Sequence, residues 1–358
     1  DFGAPNGPLP QGVFVVALDA ASGSVAWSFG CEMSTALHAS ASSIALGPSG
    51  SVTIGGVYKG SLACGGTAMT SASSASYSAF VARVDSNGAP VWATSWGDSS
   101  TTTPVDQELF GLAVDSDGST WLSGGLRGHA IVAGHALTAA GTTDSDVLLA
   151  RLKPDGSFAA YAKNFGDAAT QQGSALSLDQ DGNVYLTGFK EGSLDFGNGA
   201  LPQLGGDTIF VAAFDATGAP LWSEGFGGAA ANNEYGNAIA VEPDGTLFVA
   251  STFVGGVNFG AGAFISGAAN YTALARFAAG APDQPGGVIW NRFYGGDKSN
   301  THASATVAAA ALAPRGQSMV RDVLLVGRFA EPADFGTGMV GPMQALPNAS
   351  AFVMRVAP

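Results

Sequence analysis

The chain of 358 residues is acidic, with 14 Lys and Arg against 28 Asp and Glu for a net charge of −14, and only 12% of its residues are charged. This leaves no basic footprint for nucleic acid or an anionic membrane, and no apolar run reaches the ~18 residues of a membrane-spanning helix. The 52 glycines suit strands joined by tight turns rather than long amphipathic helices.

Taken in chain order, the pattern is a repeat. Asp1-Phe-Gly3 and Pro8-Leu-Pro10 echo Asp195-Phe-Gly197 and Leu201-Pro202, so the sequence opens inside a repeat. Phe14-Val-Val-Ala-Leu-Asp19 then reads as an apolar strand closed by a turn residue. It returns as Phe80-Val-Ala-Arg-Val-Asp85, Leu148-Leu-Ala-Arg-Leu-Lys153, Phe210-Val-Ala-Ala-Phe-Asp215, Leu274-Ala-Arg-Phe277 and Phe352-Val-Met-Arg-Val356. The spacing of about 62 to 79 residues suits a four-stranded propeller blade.

Each of these strands is the third of its unit. A fourth follows, marked by Trp27, Trp92, Tyr161, Trp222 and Trp290, and most end in an aromatic-Gly pair such as Phe29-Gly30 or Trp96-Gly97. The first and second strands form hairpins around Pro-Ser-Gly50, Asp-Gly118, Asp-Gly182 and Asp-Gly245, where Gly supplies the left-handed position of a tight turn. The resulting expectation is an all-β chain, a β-propeller of about six four-stranded blades. Five full repeat equivalents plus one strand lie in this sequence. A single domain over 1–358 is expected, with repeats near 13–79, 80–146, 147–208, 209–271 and 272–350 and partial repeats at 1–12 and 351–358.

The segments Phe80-Val-Ala-Arg-Val-Asp85, Pro220-Leu-Trp222, Asp179-Gln-Asp-Gly-Asn-Val-Tyr-Leu-Thr-Gly188 and Leu194-Asp-Phe-Gly197 resemble the SBBP-type β-propeller repeats. The resemblance implies a secreted or lipid-anchored bacterial surface protein of myxobacterial type. It carries no shared catalytic motif.

Strand alternation places the first-to-second and third-to-fourth turns on one face of each unit and the long second-to-third and fourth-to-first loops on the other. Long loops on a rigid scaffold are where binding concentrates. His38, Asn233, Tyr235 and His302 are the ligand candidates on that face. Cys31 and Cys64 fall on the same side and are a disulfide candidate in an exported protein. Asp106, Glu108 and Glu234 stand just ahead of first strands and are the acids to nominate if the chain is catalytic. Arg83, Arg151, Arg276 and Arg355 recur at one third-strand position, where pairing with a neighbouring acid is expected.

The Asp-x-Asp-Gly turns at Asp115–Gly118 and Asp179–Gly182 lack the longer acidic run of a calcium loop. They read as turns capped by their own Asp, with calcium the alternative; no other cofactor or metal site is expected. No nucleophile elbow, Walker motif or dinucleotide fingerprint is present. The expectation is therefore a non-enzymatic scaffold, secreted or at the outer cell surface, that binds protein or polysaccharide through its long-loop face. A carbohydrate-active enzyme, lyase or glycosidase, is the alternative from another class, and a structural subunit of a surface assembly is the third.

Overall fold

The computed structural model describes residues 9–34, 38–98, 100, 104–132, 134–141, 143–157, 161–228, 233–281, 284–295, 305–315, 318–329, 333–334, 339–340 and 350–356. The chain divides into two compact units, Asp1–Ala168 and Ala169–Pro358. Both are all-β; among the described residues the one helical turn is Pro48–Gly50.

Unit 1 begins with β1 (Gly12–Leu18), β2 (Val25–Met33), β3 (His38–Leu46) and β4 (Val52–Lys59). It continues with β5 (Ser61–Cys64), β6 (Thr67–Thr70), β7 (Ser78–Val84) and β8 (Pro90–Trp96). Then come β9 (Glu108–Val114), β10 (Thr120–Leu126), β11 (His129–Val132), β12 (His135–Thr138), β13 (Asp146–Leu152) and β14 (Tyr161–Phe165). Two antiparallel meanders, β3-β4-β7-β8 and β9-β10-β13-β14, carry the repeat. The β5–β6 hairpin leaves the first meander and joins β1-β2 to make a third four-stranded sheet.

A disulfide between Cys31 and Cys64 closes that third sheet, at directly opposed positions of β2 and β5. The bond spans 33 residues of chain, so opening it releases unfolded-state entropy worth about 3–4 kcal/mol. The C31A/C64A double variant should lose that much unfolding free energy in urea, with a lower midpoint and a steeper slope because its unfolded chain is no longer cross-linked. A midpoint equal to the parent's would show the staple to be neutral.

Unit 2 holds β15 (Gln171–Leu178), β16 (Val184–Lys190), β17 (Thr208–Phe214) and β18 (Pro220–Phe226) as one meander. The next is β19 (Glu234–Val241), β20 (Leu247–Asn258), β21 (Ala263–Phe277) and β22 (Val288–Tyr294). Further on are β23 (Ala305–Arg315), β24 (Ser318–Phe329), β25 (Ala333–Asp334), β26 (Met339–Val340) and β27 (Ser350–Val356), with β23-β24-β27 forming a three-stranded sheet.

The meanders cohere because second and third strands are apolar on both faces. Every residue of β7, β10 and β17 is buried. Each apolar layer is shared by consecutive sheets: Val81 and Leu148 in one cluster, Val211 and Val249 in another. Such double burial explains the near-continuous hydrophobic runs in the sequence, where a one-faced sheet alternates.

The recurring residues now have causes. Trp27 donates its indole N–H to Ser86 O and Trp92 donates to Pro154 O, each at 2.9 Å. These tryptophans tie a fourth strand to the third-to-fourth turn of the following sheet. The turn aspartates accept from their own backbone: Asp85 from Asn87 and Ala89, Asp179 from Asp181 and Asn183, and Asp215 from Thr217 and Ala219, all at 2.8–2.9 Å.

The repeated arginines behave in two ways. Arg151 pairs with Asp115 and Asp117, both at 3.0 Å, Arg276 pairs with Glu242 at 3.2 Å, and Arg355 pairs with Asp322. Arg83 instead is 5% exposed and donates to Thr53 Oγ1, Gly118 O, Pro154 O and Thr120 Oγ1.

Candidate functional site

All the first strands with a described partner carry a bulge near their start. The register slips between Ala41 and Ser43, Leu109 and Gly111, Gly173 and Ala175, Gly236 and Ala238, and Val307 and Ala309. Bulges re-aim the side chains beside them. In the third meander the closeness of the bulge leaves no room for a side chain at Gly188, whose Cβ would lie 1.9 Å from Gln172 O.

Two residues ahead of the bulge, one position is fully buried in three sheets. It is Gln107, Gln171 and Glu234, each 0% exposed. The two glutamines use their carboxamides as locks. Gln107 donates to Arg127 O at 2.7 Å and Gln171 donates to Glu191 O at 2.8 Å, tying the entry of the first strand to the exit of the second.

Glu234 breaks this pattern. Its Oε1 accepts from Gly228 N–H at 3.0 Å, and its Oε2 is buried with no hydrogen-bond partner among the described residues. The carboxyl lies against Gly227, where a Cβ would stand 2.5 Å from Oε2, and beside Leu204. Only glycine leaves space there. Burial pushes the Glu234 carboxyl up to about 8, and the negative charge of Asp207 adds to the rise against the opposing Gly228 bond. Glu234 is therefore a neutral acid at pH 7.

The adjoining residues complete a polar cluster on the long-loop side of unit 2. Asn233 is exposed and donates its carboxamide N–H to the Tyr235 hydroxyl at 2.9 Å. Tyr235 in turn bonds through its hydroxyl to Asp207, which is 6% exposed. Burial first, then the Asp207 bond and charge, and last the charge of Glu191, raise the Tyr235 phenol to about 12. The Tyr235 ring stands edge-on to Phe189, with centroids 4.8 Å apart. Lys190 is fully buried and donates to Gly192 O at 2.8 Å and Gln203 Oε1 at 2.7 Å. Gly227, Gly228 and Asn233 from the fourth-to-first side and Leu204 and Asp207 from the second-to-third side thus lie around Glu234 and Tyr235.

The candidates of unit 1 have other surroundings. Asp106 accepts from Tyr77 N–H at 2.7 Å, and Glu108 pairs with Arg127 at 3.1 Å. His38 is exposed, with its ring edge-on to Tyr77 at 5.3 Å, and Lys59 Nζ stands 4.0 Å over the same Tyr77 ring. His302 lies outside the described residues. Among the described residues no three His, Cys, Asp or Glu side chains group as metal ligands.

Asp207 was absent from the sequence candidates. The available signal was positional: the dipeptide Gly205-Gly206 delivers it directly onto the third strand. The offset that unites Gln107, Gln171 and Glu234, each seven residues ahead of Val114, Leu178 and Val241, is likewise present in the sequence.

No family of known proteins matches the sequence, and no curated protein does. Among solved structures, a mutant of Synechocystis apocarotenoid oxygenase is similar at 9% identity and a TM-score of 0.43, over 97% of this chain and 72% of that one. A polysaccharide lyase, an ulvan lyase bound to -[GlcA(1-4)Rha3S]-, is similar at 11% identity and a TM-score of 0.36, over 88% of this chain and 70% of that one. Both are enzymes, and the expectation of a non-enzymatic surface scaffold is corrected on that finding. At these identities neither protein's reaction is carried to this chain.

Proposed function

We propose that this chain is a carbohydrate-active enzyme of propeller type, a glycoside hydrolase that uses Glu234 as its proton donor. The observation that carries this reading is one acid in a repeated amide position. Two carboxyls held in unlike environments divide acid and base roles, and glycoside hydrolysis needs such a pair. Glu234 gives its proton to the leaving oxygen as the glycosidic C–O bond breaks, water adds to the anomeric carbon and yields its proton to the Asp207 carboxylate, and the negative charge there stabilises the positive charge that develops on the sugar. The Asn233–Tyr235–Asp207 chain of hydrogen bonds fixes the Asp207 carboxylate. The disulfide supports action outside the cytoplasm.

Gln107 and Gln171 show that an amide is tolerated at this place, so Glu234→Gln is expected to keep the fold. Reducing-end release from a panel of neutral polysaccharides is expected with the parent chain at pH 6 and to fall off above about pH 8. Loss of general acid catalysis costs about 10²–10⁴-fold, so Glu234→Gln should lower kcat at least 100-fold. Unchanged turnover in the folded variant, or no release from any substrate, overturns the reading.

A further inference from the structure

We propose that copies of this chain join head to tail, the outer face of the β23-β24-β27 sheet in one copy packing on the bare face of β1 in the next. The inference is independent of the hydrolase reading. It rests on a packing rule that repeats inside each unit. In unit 1, Val15 of β1 shares an apolar layer with Phe80 and Val84 of β7, and Val81 of β7 shares the next layer with Leu148 and Leu152 of β13. In unit 2, Val211 of β17 shares a layer with Ala273 and Phe277 of β21, and Leu274 of β21 shares another with Val356 of β27. One face of a third strand thus meets the opposite face of the third strand in the following sheet.

Two positions depart from this rule, one on each kind of face. The row that looks back to the preceding sheet ends in Val84, Leu152, Phe214, Phe277 and Val356, each at most 4% exposed, whereas its counterpart in β1, Leu18, is 61% exposed. The row that looks forward is centred on Val15, Val81, Leu149, Val211 and Leu274, each at most 8% exposed, whereas its counterpart in β27, Val353, is 75% exposed. Val326, opposite Val353 on β24, is exposed beside it. Burying such aliphatic side chains is favourable, and elsewhere in the chain the row of one kind is covered by the row of the other. Both halves of the joint are carried here, so a second copy supplies the missing half at each face. The contact continues between copies the interface that already repeats within each unit. Its two surfaces differ, which makes it heterologous, and it propagates from copy to copy unless the rotation closes a ring.

The test is sedimentation velocity of the full chain over a hundredfold range of concentration. The mean mass should rise with concentration past that of a dimer. Leu18→Lys removes one half of the joint and Val353→Lys removes the other, so each variant alone should stay monomeric. Mixed in equal amounts, the two should form a dimer and nothing larger, because a single pair of intact faces remains. Both substitutions fall at exposed positions, so circular dichroism should match the parent's. If one variant loses its fold, the masses of the parent and of the other variant still decide the question. A parent that stays monomeric throughout overturns the proposal. Self-association that persists in either folded variant does so as well, and so does a mixture of folded variants that stays monomeric.

Discussion

Arg83→Ala should destabilise unit 1 by roughly 4–6 kcal/mol, a cost in the rare and diagnostic range for one substitution. The guanidinium makes four hydrogen bonds, to Thr53, Gly118, Pro154 and Thr120, at 2.7–3.1 Å. Its partners come from two sheets, since Thr53 lies on β4 and Thr120 on β10. Removing it strands Gly118 O, leaves Pro154 O to the Trp92 indole alone and opens a void beneath Trp92, whose ring the guanidinium faces at 5.1 Å. Arg151→Ala makes the control. Arg151 holds the same place in its own sheet and pairs with Asp115, 11% exposed, and with half-exposed Asp117, so a partly solvated pair replaces the four-bond lock and its loss should be smaller, about 1–3 kcal/mol. Urea unfolding of both variants checks the contrast. Equal losses would mean that Arg83 is no more than another surface pair.

The second large effect is a pH dependence. Glu234 has its carboxyl raised from an ordinary 4.5 to about 8 by burial. The folded state therefore holds a proton that the unfolded chain releases. Its contribution is fully present below pH 4.5, is lost as pH rises, and is gone by about pH 8. The total is roughly 5 kcal/mol. Asp207 is the charged group that adds to this shift, and Gly228 N–H opposes it. Glu234→Gln removes the titration. Parent and variant should match in stability near pH 4.5, and the variant should be the more stable by about 5 kcal/mol at pH 9. A gap that stays constant from pH 5 to pH 9 would show that Glu234 is ionised in the fold.

The strands themselves were legible because local pattern decides them. Phe80–Val84, Ile209–Phe214 and the Asp-x-x-Gly turns are found where the repeat places them. The arginine pairing was legible in three copies, because an acid stands in the turn after the first strand (Asp115, Glu242) or in the second strand (Asp322). It failed for Arg83, whose partners are carbonyls and hydroxyls that no charge pattern marks. The segment between second and third strands was not legible. It forms the stapled β5–β6 hairpin in one copy and the separate β11–β12 hairpin in another, and it extends β20 and β21 in a third. Its course depends on contacts beyond the copy that encodes it. Asp207 lies at the end of that same segment, so its meeting with Glu234 and Tyr235 could not be read from either copy alone.

The β5–β6 hairpin also sets a limit on modularity. A sheet that includes β1 and β2 is finished by strands lying between β4 and β7 of the next one. Cutting the gene at the repeat boundary would orphan both pieces: one loses its outer strands and its cystine, the other gains a dangling excursion. The autonomous heritable block here is the interlocked pair, and duplication, shuffling or grafting of this part of the chain has to move both copies together.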